Sequence, residues 1–149
     1  MRLATTLATC CILLSSCVVD PSANNHGYGF DYDSVTELGI KLRDDTGKDH
    51  KLADYVDRTA LETLECVRGV IHLQADAVVG WGNLQIIIVP DVPNARGRHY
   101  HEPPLILLQP TVFGYLQAST FRHEYTHFIL NQLGLPSGDA TDAVNVCTY

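Results

Sequence analysis

The sequence predicts an α+β fold, on three observations. Apolar residues recur at helical spacing from about Leu52 to Ala75 and again from about Ser119 to Leu133. Two short aliphatic runs, Leu84–Val89 and Leu105–Leu108, read as strands. At 149 residues, 46% hydrophobic and 18% charged, the chain has room for one globular domain and is too apolar to be disordered. The expected architecture is a mixed or antiparallel sheet of about three strands, one long helix and one shorter helix.

Thr36 to Arg43 (T-E-L-G-I-K-L-R) alternates well enough for a first strand, and Asp44-Asp45-Thr46-Gly47 ends it in a turn. In the long helix Leu52, Val56, Ala60, Leu64, Val67 and Ile71 form the apolar stripe. Asp54, Asp57, Glu62 and Glu65 are then its solvated face, and His72 is a packed or surface residue. Gly80-Trp81-Gly82-Asn83 breaks the chain, with Trp81 as a core plug. Pro90 stops the second strand. Asp91 to Pro104, with three prolines and two histidines, reads as a polar loop. Leu105–Leu108 is a short apolar strand ended by Pro110. The last helix meets Gly134 at its C-terminal boundary and Pro136 just beyond, leaving a tail of 15 residues.

Residues 1–16 read as a secretory signal: Arg2, an apolar stretch from Leu3 to Leu14, then Ser15-Ser16 before Cys17. Leu14-Ser15-Ser16-Cys17 resembles the bacterial lipobox. That resemblance implies a lipid on Cys17 as first mature residue and an envelope location. Val18, where an Asp would suggest inner-membrane retention, leans towards the outer membrane in a Gram-negative cell. Residues 17–33, rich in Asn, Gly and Ser, read as a tether, which leaves 34–149 as the domain.

With 10 basic and 17 acidic residues the chain carries a net charge of -7, which disfavours an electrostatic grip on nucleic acid. Cys10 and Cys11 leave with the signal and Cys17 takes lipid. Cys66 and Cys147 remain, and in an oxidising compartment they are expected to pair. Such a bond would close a loop of about 80 residues and contribute roughly 4 kcal/mol on the loop-entropy account. Two unpaired thiols, or Cys147 as a metal ligand, are the other readings.

The last helix contains His123-Glu124-Tyr125-Thr126-His127, or H-E-x-x-H. Residues four apart share a helix face, so two imidazoles there can chelate one Zn²⁺. Glu124 sits about 100° round the helix, beside the metal, where it can take a proton from metal-activated water. Chance produces this pattern in roughly 1% of shufflings of the composition, so its placement inside a predicted helix carries weight.

From Pro104 to Gly134 the chain resembles the core of zincin metallopeptidases. The resemblance implies His123 and His127 as zinc ligands and Glu124 as general base. It also implies Leu105–Leu108 as the strand beside an extended peptide substrate. Two subfamilies are excluded. Leu130 and Leu133 stand where metzincins have Gly and a third His, and no Glu follows Glu124 as a gluzincin ligand. An Asp third ligand is known among zincins, although the fuller aspzincin signature is missing here. Asp142 is the preferred third ligand, with Asp139 second and Cys147 a soft alternative. His99 and His101, on one side of an extended segment, are the upstream alternatives, for the metal or for an oxyanion. Tyr100, Tyr115 and Tyr149 are further oxyanion-donor candidates.

The expected function is therefore a zinc-dependent extracytoplasmic hydrolase, a metallopeptidase acting on peptide or protein, anchored to the membrane by lipid. An inactive zincin-like lipoprotein serving as a binding or structural module is the alternative. With about 115 residues in the domain, a partner protein completing a shallow site is also expected.

Overall fold

A computed structural model describes residues 31–48, 52–72, 79–112 and 114–149. The expected signal peptide, the lipidation residue Cys17 and most of the tether lie outside these residues. Asp31 to Asp33, the last of the tether, do fall inside: the Asp33 N–H donates to the Leu42 carbonyl at 2.7 Å.

The fold is α+β, and among the described residues it has three helices and a mixed sheet of five strands rather than about three. The strands are β1 (Ser34–Val35), β2 (Lys41–Asp44), β3 (Gln85–Ile88), β4 (Gly97–Tyr100) and β5 (Leu105–Leu108). The helices are α1 (Ala53–Ile71), α2 (Ala118–Gln132) and α3 (Asp142–Cys147), with a 3-10 turn at Trp81–Asn83 between α1 and β3. Of the predicted first strand, Thr36–Arg43, only Lys41–Arg43 is strand, within β2; residues 36–40 form the turn that joins β1 to β2, with Gly39 at φ +85°.

Strand order is β1-β2-β3-β5-β4. The three central strands β2, β3 and β5 run parallel, and β1 and β4 close the two edges antiparallel. Strands β3 and β5 are buried along their whole length, as parallel strands covered on both faces must be. Ile86, Ile106 and Leu108 face the helices and join Val56, Ala60, Leu64 and Val67 of α1 and Phe121, Tyr125, Phe128 and Ile129 of α2. Ile87, Leu105 and Leu107 form a second cluster on the opposite face with Val89 and Val92, and Tyr100 packs on it.

Strand β4 arises inside the segment expected to be a polar loop. Its apolar pattern is poor, but its backbone pairs with β5 from Gly97↔Leu108 to Tyr100↔Leu105. β4 takes the sheet edge, so β5 lies between β3 and β4 and has no free edge. The strand assigned to the substrate side by resemblance is thus interior, and β4 is the edge beside α2.

Trp81 is buried against Tyr125 and Phe128, as expected of a core plug. His72 is exposed and caps α1 in the left-handed region. Asp57 departs from the solvated face: it is half-buried and accepts the Leu38 N–H at 3.1 Å. At the end of α2, Leu135 N–H bonds the Leu130 carbonyl and Gly134 N–H that of Asn131. This paired closure needs the left-handed φ of +67° that Gly134 adopts. The predicted tail then forms α3, capped by Thr141 Oγ1, which accepts the Val144 N–H. Cys66 of α1 and Cys147 of α3 are joined by a disulfide with Cα atoms 5.7 Å apart.

Candidate metal centre

Helical spacing sets His123 and His127 one turn apart, and their Nε2 atoms face each other at 3.1 Å. Asp139 reaches both from the segment after Gly134, with Oδ1 3.1 Å from His127 Nε2 and 3.6 Å from His123 Nε2. The three potential ligand atoms lie within 4.8 Å of one another. Asp142, the preferred candidate by sequence, does not join them. It opens α3 and lines a separate cavity with Val70, Leu130 and Pro136. The reason is the tight turn at Gly134: it folds the next residues back along α2 and brings Asp139 to the histidines before α3 begins. Cys147, an alternative ligand, is committed to the disulfide.

The partners of the two rings decide what the facing nitrogens can be. His127 Nδ1 meets the Ser137 carbonyl, an acceptor only, so Nδ1 carries the proton. His123 Nδ1 lies 3.3 Å from Thr148 Oγ1. That hydroxyl donates its own proton to the Val144 carbonyl at 2.6 Å, so it accepts from His123. With Nδ1 of each ring turned outward as donor, Nε2 of each is left facing the other ring and the Asp139 carboxylate. Three potential ligand atoms thus converge, an arrangement that a metal ion, or a proton shared between a ring and the carboxylate, satisfies. Zinc held tetrahedrally at about 2.0–2.1 Å from each donor would need donor separations near about 3.4 Å. The observed separations of 3.1, 3.1 and 3.6 Å bracket that value. The residues fit a zinc ion in chemistry and in spacing. Burial lowers the pKa of His123, as does the neighbouring His127, while Asp139 opposes them.

Glu124 is only 5% exposed. Burial pushes its pKa up to about 7, against a hydrogen bond from the backbone of His99; Asp139 raises it and Arg98 lowers it. Its position depends on Gly97 of β4. A Cβ at residue 97 would stand 2.8 Å from Glu124 Oε1 and 2.6 Å from Thr120 Cγ2, so only glycine leaves the carboxylate its place. Glu124 and both histidines line one cavity of about 610 Å³ with His99, His101 and Asp139. A smaller cavity of about 270 Å³ continues past Glu124 towards Ser119, Thr120 and Tyr149. Another, of about 630 Å³, lies by Leu42, Lys48, Leu52 and Ile88; among the described residues no histidine or cysteine lines it.

The other sequence candidates are dispersed. His99 stacks near His127, ring centres 6.3 Å apart, and burial lowers its pKa to about 4. It is a wall of the cavity and not one of the converging ligands. The side chain of His101 is largely exposed at the rim. Tyr100 faces the other side of the sheet, Tyr115 is exposed in the β5–α2 connection, and Tyr149 borders the smaller cavity. Gly97, Ser137 and Thr148 belong to no spaced motif; Asn131 was missed although its place four residues after His127 puts it on the same helix face. Compared with family models, with curated proteins and with solved structures, the chain finds no match in any of the three. The reading of the centre rests on its own geometry.

Proposed function

We propose that the chain is a zinc-dependent hydrolase of the zincin type, acting on peptide bonds with Glu124 as general base. The observation that carries this is the meeting of three potential ligand atoms, from His123, His127 and Asp139, beside a buried carboxylate on the same helix. A Zn²⁺ bound by these three would polarise a substrate carbonyl and bring the pKa of a coordinated water to about 7.

The chain's own groups do the rest. Glu124, with its pKa raised to about 7, is matched to taking a proton from the attacking water and returning it to the leaving amine. The His99 backbone and the gap at Gly97 hold that carboxylate in place. Among the described residues β4 is a sheet edge beside α2; apart from the His99 backbone, which is bonded to Glu124, an extended peptide can add to it through backbone hydrogen bonds. The lipobox-like Leu14–Cys17 supports export and a lipid at Cys17, and the Cys66–Cys147 bond suits an oxidising compartment.

Glu124→Gln is the direct test. It is expected to leave zinc bound and to lower cleavage of a peptide library by about 10²–10⁴-fold. Unchanged turnover would exclude Glu124 as the base. Zinc bound without turnover in either form would turn the reading to a zincin-like binding module.

A further inference from the structure

Asn131 stands one turn beyond His127 on α2, so His123, His127 and Asn131 follow one another along a single helix face. Its amide reaches two other elements. Nδ2 lies 3.4 Å from His99 Nδ1 on β4, and Oδ1 accepts the Ser137 hydroxyl at 2.7 Å. Ser137 in turn offers its carbonyl to His127 Nδ1. Two residues later Asp139 closes on both histidines. One half-buried amide thus links the motif helix, the edge strand and the segment that carries the third ligand.

That segment has little else to hold its middle. Leu135, Pro136, Gly138, Asp139 and Ala140 are all exposed. No atom outside its chain neighbours lies within 4 Å of where a Cβ of Gly138 would stand. The turn at Gly134 secures one end and the Thr141 cap secures the other. Between them, among the described residues, Ser137 hydrogen-bonds back to α2 through its hydroxyl and its carbonyl, and Asp139 follows on the two histidines.

We propose that Asn131 is a positioning residue of the metal centre: through Ser137 it keeps His127 in the tautomer that bares Nε2 and keeps Asp139 within reach of it. The inference rests on the metal reading above. Partners of this outer kind change metal affinity by about 10–100-fold when removed.

The test compares the full chain with Asn131→Ala, Ser137→Ala and the double variant. Zinc affinity is read by competition with a chromophoric chelator. Each single variant is expected to bind zinc about 10–100-fold more weakly. The double variant should be no weaker than the worse single, because both changes cut one connection. In the metal-free protein, ring nitrogen spectra should show His127 losing its Nδ1–H preference while His123, held by Thr148, keeps its own. Unchanged affinity in both singles, additive losses, or equal disorder at both rings would overturn the proposal. Ser137→Ala keeps the backbone carbonyl and carries the test should Asn131→Ala not fold. If the unmodified chain binds no zinc, the metal reading falls, and the spectra alone decide whether Asn131 governs His127.

Discussion

Helix α2 presents His123, Glu124 and His127 by regular geometry, whereas residues 133–149 present Asp139, the Ser137 carbonyl and Thr148 from largely irregular backbone. On α2 the placement comes with the helix, because residues four apart must share a face. The helix is anchored independently of the site by Phe121, Tyr125, Phe128 and Ile129 in the core. The C-terminal segment has no such periodicity. It is attached point by point: the turn at Gly134, the Ser137–Asn131 bond, the Thr141 cap, and the disulfide that ties α3 to α1 next to Thr148. A helical ligand pair is robust to loss of any one contact. A ligand on a stapled segment is only as well placed as its staples.

Breaking the strongest staple should show this most clearly. Cys66→Ala with Cys147→Ala is expected to lower unfolding free energy by about 4 kcal/mol in denaturant titrations, on the loop-entropy account. A loss under about 1 kcal/mol would mean that packing of Ala143 and Val144 holds α3 without the bond.

A ligand-by-ligand comparison comes next. Loss of an inner ligand should exceed the about 10–100-fold expected of an outer partner, so Asp139→Ala should weaken zinc binding by at least about 100-fold. Asp142→Ala should change it by less than about twofold, with at most about 1 kcal/mol lost from the first turn of α3. The reverse ranking would return the third-ligand role to Asp142 and discard the geometry around Gly134.

The smallest expected effect lies on β4. Burial lowers the pKa of His99 to about 4, below the ordinary 6.5, so the folded chain resists protonation there. Stability from this group is complete above about pH 6.5 and is lost as pH falls towards about 4. Melting of the metal-free protein should therefore drop by a few degrees more on acidification than melting of His99→Gln. Parallel curves for the two proteins would show that His99 is as solvated as a surface histidine.

Much of the molecule is legible in its amino-acid sequence. The H-E-x-x-H run, its helix and the glycine that ends it are set by spacing and by one left-handed backbone position. Leu105–Leu108 was read residue for residue, and with Cys10, Cys11 and Cys17 assigned to the signal and anchor, Cys66 and Cys147 remained to pair. These features are local in sequence or follow from counting. β4 was missed because Gly97-Arg98-His99-Tyr100 has little apolar pattern; it becomes a strand because β5 offers it backbone partners.

The sequence by itself determined that His123, Glu124 and His127 share one turn of a helix, since helical periodicity is a property of neighbouring residues. Only the tertiary structure brought Asp139 rather than Asp142 beside the histidines, put Gly97 against Glu124, and set Ser137 and Thr148 behind the two rings. Each of these joins residues whose separation in the chain has no period. They meet because the Gly134 turn, the disulfide and the edge of the sheet bring distant backbone together, and spacing cannot announce that.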